Sequence, residues 1–284
     1  MGTFKNILVY VDGSEASLHA LQESLRFAQA AKSKIMAVSV VPPYQGDLRF
    51  TGLGNIKALL KEPCDTALAE AMKMAEAEGI SLTTACLEGE PYEEIADLAE
   101  AEGCDLIVMG VGTQSMEKFF VMGSTTARVI GYSQIDVLVV PENATIGWQN
   151  LLLATDGSEH SEKAAARATT IARSNGTELN IVSATDFVCE LYAQAPEVGE
   201  QLIGKARKNL DASKKLADLG GLKTECFVRE GEAYKAILDL AKEKGTEMIV
   251  IGSHGKTGLK RLLMGSVVEK VIGHSHCPVL VVKA

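Results

Sequence analysis

The chain has 284 residues, which suits about two domains, and 46% of them are hydrophobic, which is enough to fill an ordinary core. The formal net charge of −9 at pH 7 argues against a binder of phosphate backbones, so we expect no nucleic acid partner. No run of roughly 18 apolar residues is present and Met1–Asp12 lacks a secretory signal, so we expect a cytoplasmic protein without membrane contact.

The first predicted strand lies near the start of the chain, and the sequence around it occurs twice. Asn6–Glu15 aligns with Asn150–Glu159, and the apolar ending Val137–Val140 aligns with Val279–Val282. Further matches follow in the same order between these segments, which indicates a duplication. Because the period of roughly 140 residues is far longer than a solenoid repeat, each copy is predicted to be a whole domain. The two predicted domains span residues 1–142 and 148–284.

Strand and helix patterns alternate along each copy, most clearly in the second, where Ser158 or Ser161 can cap the first helix. The elements predicted there are a strand at 151–154, a helix through Ala164, Ala168 and Ile171, a strand at 179–184, a helix at 196–219, a strand at 223–229, a helix at 233–244, a strand at 248–251, a helix opening at 266–272 and a strand at 278–282. This alternation predicts an α/β fold of two tandem doubly wound domains, each a five-stranded parallel sheet flanked by helices.

Two segments that follow strands of the second copy have unusual chemistry: Thr155–Ser158 and Gly252–Ser266. Ligands of such sheets bind beyond the carboxyl ends of the strands. Glycines allow several backbone N–H groups to approach an anion, and Gly265 with Ser266 stands at a predicted helix start, where free N–H groups favour phosphate. The segment therefore indicates a phosphate-binding loop, and the alternative is a surface turn with solvated lysines.

Two other nucleotide motifs do not match. A Walker A loop ending at Gly255-Lys256-Thr257 would need glycine at the position of Val250. In the first copy, Ser115 stands where a dinucleotide-binding fingerprint requires glycine.

The spacing of Gly252, Gly255, Gly265 and Ser266 reads G-x-x-G, nine residues, then G-S, between a strand and a helix. In this context the sequence resembles the ATP-binding branch of the universal stress protein (UspA) family, and the resemblance covers both copies. It implies a Rossmann-like domain related to the adenine nucleotide α-hydrolase group, with ATP or AMP as the ligand of domain 2, with or without Mg²⁺. The site residues carried over from the family or taken from the loop are Ala154, Thr155, Asp156, Ala184, Gly252, His254, Gly255, Lys256, Gly265, Ser266 and Val267.

The resemblance also implies roles for these residues. Asp156 would contact the ribose or adenine side, Ala154 would line the same pocket, and Ala184 would offer backbone to the adenine. The glycine loop and Gly265 with Ser266 would surround the phosphates and ribose. The alternative for Asp156 is a turn residue of the Asp-Gly type.

The first copy departs from this pattern. Where the second copy has Gly255, Lys256 and Arg261, the first has Thr113, Gln114 and Phe119. A Cβ is added where backbone must approach phosphate, and two positive charges are lost. Each lost charge-assisted hydrogen bond weakens binding by about 1.5–3 kcal/mol, so we expect the nucleotide site of domain 1 to be degenerate and that of domain 2 intact.

No general base, paired carboxylates or metal clamp accompanies the loop, so no catalytic or metal-ligating residue is assigned. The favoured function is a nucleotide-dependent regulator or sensor in the stress response, with at most slow hydrolysis of ATP. The alternatives are an ATP-using transferase or ATPase of the same α/β group, and a dimerising interaction scaffold that binds no nucleotide. The resemblance also implies that Val137–Val140 and Val279–Val282 meet as an internal pseudo-dimer, and a homodimer of chains is a further option.

The sequence contains six cysteines and no CxxC pair. We expect them to be free and mostly buried thiols of a reducing compartment.

Overall fold

The computed structural model describes residues 4–43, 56–112, 124–185, 196–255 and 264–283. The first copy consists of β1 (Asn6–Tyr10), α1 (Glu15–Ala31), β2 (Lys34–Val41), α2 (Ile56–Ala77), β3 (Leu82–Glu88), α3 (Pro91–Ala101), β4 (Leu106–Val111), α4 (Ser124–Tyr132) and β5 (Val137–Pro141). The second consists of β6 (Asn150–Ala154), α5 (Glu159–Asn175), β7 (Glu178–Thr185), α6 (Pro196–Leu219), β8 (Thr224–Glu230), α7 (Ala233–Glu243), β9 (Met248–Gly252), α8 (Ser266–His274) and β10 (Val279–Val282).

The strands form one ten-stranded sheet in the order β3-β2-β1-β4-β5-β10-β9-β6-β7-β8. Every neighbouring pair within a copy is parallel, and β5 and β10 pair antiparallel through Leu138 and Leu280. The predicted fold of two doubly wound five-stranded parallel sheets is confirmed. The two sheets are joined edge to edge, which covers the edge strand that each copy would otherwise expose.

Both faces of the sheet are buried, as a parallel sheet requires. Along β6, Leu151 and Leu153 belong to one hydrophobic cluster, and Leu152 and Ala154 belong to the other. The alternation follows from the two-residue period of a strand. It places Ala154 on the face that α7 and α8 cover.

The turns after β1 and β6 are built alike. Gly13 and Gly157 take positive φ values of 82° and 71°, a conformation that glycine adopts without strain. Ser14 and Ser158 then cap α1 and α5, because each side-chain oxygen accepts a hydrogen bond from a backbone N–H three residues later. The choice left open between Ser158 and Ser161 is therefore settled in favour of Ser158.

The segment between the copies is anchored to the first domain. The Trp148 ring lies 5.0 Å from the Phe27 ring and 6.1 Å from the Phe4 ring, measured between centroids. The Ala144 carbonyl oxygen lies 2.7 Å from Nε2 of His19, and the Ile146 N–H donates to the buried Glu23 carboxylate. These contacts fix the segment along α1.

The prediction of six free thiols is wrong for one pair. Cys64 in α2 and Cys86 in β3 form a disulfide. Packing of α2 against β3 brings the two residues together, and the sequence spacing gave no sign of it. Cys104, Cys226 and Cys277 are free, with Cys277 buried and Cys226 exposed. Cys189 lies outside the described residues.

Candidate functional site

A cavity of about 230 Å³ lies beyond the carboxyl ends of β6, β7 and β9, between the sheet and the starts of α7 and α8. Its volume is somewhat below the usual range of ligand pockets, about 300–1,000 Å³. The position is the one expected for a ligand site in a doubly wound sheet. Ten of the residues singled out from the sequence line it, namely Ala154, Thr155, Asp156, Ala184, Gly252, His254, Gly255, Gly265, Ser266 and Val267. The remaining one, Lys256, lies outside the described residues.

The sequence reading missed the apolar floor of the cavity and one hydroxyl. The additional lining residues are Ser161, Val182, Ala233, Ile237, Ile251 and Val268. Val182 could have been found, because it lies two residues before Ala184 on the same face of β7. Ala233 and Ile237 come from the first turns of α7, and no motif in the sequence marks them. This part of the lining is aliphatic, which suits the apolar faces of an aromatic ring.

Asp156 is held by a local turn at the rim of the cavity. Its Oδ1 accepts a hydrogen bond of 2.9 Å from the Ser158 N–H, so the turn reading of this residue is correct as far as Oδ1 is concerned. Its Oδ2 faces the glycine loop, because a Cβ built on Gly255 would lie only 2.8 Å from that oxygen. Asp156 therefore serves the turn and also limits what can stand at position 255.

Hydrogen bonds between hydroxyl groups stabilise the turn after β6. Thr155 Oγ1 donates to Ser161 Oγ at 3.2 Å and accepts from Ser213 Oγ at 3.4 Å. All three residues are buried. The resulting network fixes the chain just after β6, where the backbone turns away from the sheet.

The two ends of the glycine loop are brought together. The Gly265 N–H donates to the Ser253 carbonyl oxygen at 3.2 Å, so residues 264–266 return to the end of β9. Gly265 is the N-cap of α8 and provides no side-chain cap. Gly265, Ser266 and Val267 line the cavity, so the first turn of α8 lies at its edge, where free N–H groups and the helix dipole favour an anion.

Gly252 is required by close packing against α5. A Cβ at this position would lie 2.7 Å from the backbone carbon and oxygen of His160. The equivalent Gly110 of the first copy has the same constraint, since its Cβ would lie 2.1 Å from the Ala16 oxygen. This glycine is thus explained by packing in both copies and does not by itself indicate a ligand.

Two imidazole rings flank one buried hydroxyl beside the cavity. Ser253 Oγ lies 3.1 Å from His254 Nδ1 and 3.4 Å from His160 Nδ1, and the ring centroids are 5.1 Å apart. Burial lowers the pKa of His160 below its usual value, and the neighbouring His254 lowers it further.

The first copy has bulkier residues at two of the corresponding positions. Tyr10 stands at the place in β1 that Ala154 has in β6, since Tyr10 pairs with Val38 and Ala154 pairs with Val182. The Tyr10 ring packs against the hydrophobic cluster on this face, and burial, with the charge of Asp12, raises its pKa to about 12. Val40 likewise replaces Ala184, which narrows the space again.

Among the described residues that line the cavity, Asp156 is the sole carboxylate. In the described ranges, no group of three or more His, Cys, Asp or Glu side chains is arranged to hold a metal ion. No helix in the described part of the chain has the length and apolar character needed to cross a membrane.

Comparison with known proteins gives one consistent family. The sequence model of the Universal stress protein family matches residues 3–141 and 147–283. A universal stress protein of Methanocaldococcus jannaschii is 37% identical over 141 residues, which cover 48% of this chain and 82% of the relative. One of Bacillus subtilis is 35% identical over 147 residues, which cover 48% of this chain and 99% of the relative.

Among solved structures, a universal stress protein from Archaeoglobus fulgidus has the same fold over 98% of both chains, with a TM-score of 0.72 and 24% identity. A Pseudomonas aeruginosa protein described as functionally unknown has a TM-score of 0.63 and 20% identity, over 99% of this chain and 92% of its own. Because the two family matches together span nearly the whole sequence, the chain belongs to the universal stress protein family and carries two of its domains in tandem.

Proposed function

We propose that domain 2 binds ATP, with or without Mg²⁺, and that the chain acts as a nucleotide-dependent regulator or sensor in the stress response. The observation that carries this proposal is the cavity between β6, β7 and β9, which brings together Asp156, Gly255 and the Gly265-Ser266 pair from distant parts of the sequence. Bound ATP would supply a negatively charged ligand whose presence distinguishes two states of the protein.

The chemistry of the lining fits such a ligand. The aliphatic floor formed by Val182, Ile237 and Ile251 suits a purine base, and Asp156 Oδ2 can accept hydrogen bonds from ribose hydroxyls. Gly255 and the first N–H groups of α8 are suited to phosphate oxygens. A Cβ on Gly255 would lie 2.8 Å from Asp156 Oδ2, so a side chain there would displace the carboxylate that is proposed to contact the ribose.

Retention of the nucleotide, and not its rapid turnover, is the favoured mode of action. Activation of water for attack on a terminal phosphate needs a positioned base or a metal clamp. Asp156, the one carboxylate among the described lining residues, already accepts a hydrogen bond from Ser158 through Oδ1. An ATP-using enzyme and a nucleotide-free scaffold are the competing hypotheses.

Domain 1 is proposed to bind nucleotide weakly or not at all, because the bulkier Tyr10 and Val40 stand at the positions of Ala154 and Ala184. Its role would then be to complete an internal pseudo-dimer through the β5–β10 pairing. A homodimer of chains and a cytoplasmic location remain part of the same proposal.

The test is to purify the chain without added nucleotide, identify co-purifying ATP or AMP by mass spectrometry, and then titrate the stripped protein with labelled ATP. We expect one tight site per chain and ATP that stays intact over hours. Two equal sites would contradict the proposed degeneracy of domain 1. Rapid turnover would favour the enzyme, and absence of binding together with no thermal shift would favour the scaffold.

A further inference from the structure

The described histidines include one pair in direct proximity, His160 and His254, and this pair belongs to the domain with the open cavity. The two residues are far apart in the sequence, and β9 and α5 bring them to a ring-centroid distance of 5.1 Å. The buried Ser253 hydroxyl lies between them, within 3.4 Å of His160 Nδ1 and 3.1 Å of His254 Nδ1. A hydroxyl can donate to one ring while it accepts from the other, so the three side chains form one chain of hydrogen-bonding groups.

This cluster is connected to both the cavity and the loop. His254 lines the cavity directly beside Gly255. His160 packs against Gly252, and the Ser253 carbonyl oxygen accepts the Gly265 N–H at the start of α8. His160 therefore contacts the residues that connect the lining of the cavity with the start of α8.

We propose that the His160–Ser253–His254 cluster takes up a proton when nucleotide binds in domain 2, with His160 acting as a positioning residue that couples this proton to His254. The inference rests on the proposed binding of nucleotide phosphates beside Gly255 and Gly265. It goes further in that it assigns a role to His160, which lies outside the lining of the cavity, and it makes affinity depend on pH.

The physical reason is the balance of charges around the pair. In the free protein, burial and repulsion between the two rings disfavour a second positive charge, which is why the pKa of His160 is lowered. Lys163 of the same helix and Lys283 at the end of β10 act in the same direction, and Glu159 opposes them. A phosphate group beside His254 adds negative charge, so it favours the protonated pair.

We expect ATP to bind domain 2 more tightly at low pH than at high pH. Nucleotide raises the pKa of His160 above its lowered value in the free protein, so the gain in affinity is complete below the free pKa and is lost as pH rises through the bound pKa. A difference of one pKa unit between the two states corresponds to roughly a tenfold change in affinity. The proton belongs to the coupled pair, so removal of either ring should abolish much of the effect.

The first copy provides an internal comparison. Ala16, Val111 and Gly112 stand where the second copy has His160, Ser253 and His254. The complete cluster is thus restricted to domain 2, and any proton linkage measured with the whole chain reports on that domain.

The experiment is calorimetric titration of the full chain with ATP at pH 6.5 in two buffers of different ionisation enthalpy, which counts protons taken up per nucleotide. We compare the native chain with His160→Gln and Ser253→Ala, and with His274→Gln as the control, because His274 lies at the far end of α8 and contacts the Lys270 carbonyl. Titration of the ATP phosphates themselves is common to all four proteins and cancels in the comparison.

We expect the native chain and His274→Gln to take up the same number of protons per nucleotide bound. His160→Gln and Ser253→Ala should each take up fewer, by about half a proton or more. We also expect the ratio of affinities at pH 5.5 and pH 8 to fall by roughly tenfold in His160→Gln. Equal proton counts in all four proteins would overturn the inference and leave the proposed function intact. Absence of ATP binding by the native chain would overturn both, and thermal unfolding of each variant shows whether its fold is preserved.

Discussion

At the scale of single residues, the contact between Gly255 and Asp156 gives the sharpest prediction. A methyl group at position 255 would lie 2.8 Å from Asp156 Oδ2, so in Gly255→Ala the carboxylate must shift from its place at the rim of the cavity. We expect ATP to bind at least tenfold more weakly, which is about 1.4 kcal/mol, with little change in stability because Gly255 is exposed. Titration with labelled ATP measures the effect.

The matched control is Gly204→Ala in α6, where a Cβ would meet no atom within 4 Å. This substitution should leave ATP affinity unchanged and stabilise the helix by roughly 0.5–1 kcal/mol. Similar affinities for Gly255→Ala and Gly204→Ala would show that the close approach at Gly255 is not used for a ligand.

Residues of the candidate site were predictable to the extent that they lie in one segment. Gly252, Gly255 and Gly265 follow from spacing along the chain, whereas Ser161 and His160 could not be found because they reach the loop from α5. The pairing of Cys64 with Cys86 was missed for the same reason. Contacts between elements depend on packing, which cannot be predicted from a single sequence unless a motif marks the residues involved.

At the scale of elements, β1 has Tyr10 at the position where β6 has Ala154, and a single substitution can give β6 the tyrosine. Tyr10 shows that this position of the sheet accommodates a large ring, so Ala154→Tyr should fold while its ring fills the cavity of domain 2. We expect ATP binding to fall by at least tenfold and the unfolding midpoint to change by only a few degrees. Calorimetric titration together with thermal unfolding tests both parts, and native-like ATP binding by Ala154→Tyr would place the nucleotide elsewhere.

The reverse substitution, Tyr10→Ala, should not create a second ATP site, because Thr113 still stands where domain 2 has Gly255. Removal of a large, mostly buried ring should instead destabilise the protein by about 2–4 kcal/mol, which urea unfolding measures. Tight binding of a second ATP by Tyr10→Ala would mean that the Tyr10 side chain alone prevents domain 1 from binding nucleotide.

Elements themselves were largely predictable, since each strand of the second copy lies within two residues of its predicted bounds, as at 248–251 against Met248–Gly252. Buried parallel strands are short apolar runs between helices, and Ser158 marks the start of α5 by its capping oxygen. Residues such as Tyr10 in β1 were not recognised as functionally distinct, because an aromatic side chain in a strand is ordinary and only its place relative to Ala154 gives it meaning.

At the scale of the whole molecule, the two copies are joined by β-pairing and by a cluster of charged groups at one end of β5 and β10. Asp136 accepts from the Lys283 backbone N–H at 2.9 Å, and its Oδ2 lies 2.7 Å from Nε of Arg167. The Lys283 ammonium donates to the Ile130 carbonyl oxygen. Pro278 and Pro141 stand at the corresponding positions of the other end, so the charged cluster is confined to one side of the junction.

The duplication and the parallel sheets followed from sequence alone, but joining of the sheets through β5 and β10 was expected only from the family resemblance. Neither Asp136 nor Lys283 attracted attention in the sequence. Asp136 is buried and Lys283 partly buried where the two copies meet, which a single sequence does not show.

This junction makes stability depend on alkaline pH through Lys283. Burial lowers the pKa of Lys283 to about 8, partly opposed by Asp136, whereas an unfolded lysine titrates near 10.4. Below pH 8 the charged ammonium is present in both states and the folded protein bears the full cost of burying it. Between pH 8 and about 10.4 the folded state loses the proton first, so this cost is relieved and stability rises.

We therefore expect the free energy of unfolding of the native chain, relative to Lys283→Met, to increase by about 1–3 kcal/mol from pH 8 to pH 10.4. Urea unfolding at four pH values measures this difference, in which the thiols of Cys104 and Cys277 cancel because both proteins contain them. Lys205→Met, at an exposed position of α6, should show no such trend against the native chain. If the difference in free energy of unfolding between the native chain and Lys283→Met stays constant or falls with pH, the prediction is wrong. The Lys283 ammonium would then be solvated, and the end of β10 would not pack against the first copy in the way described above.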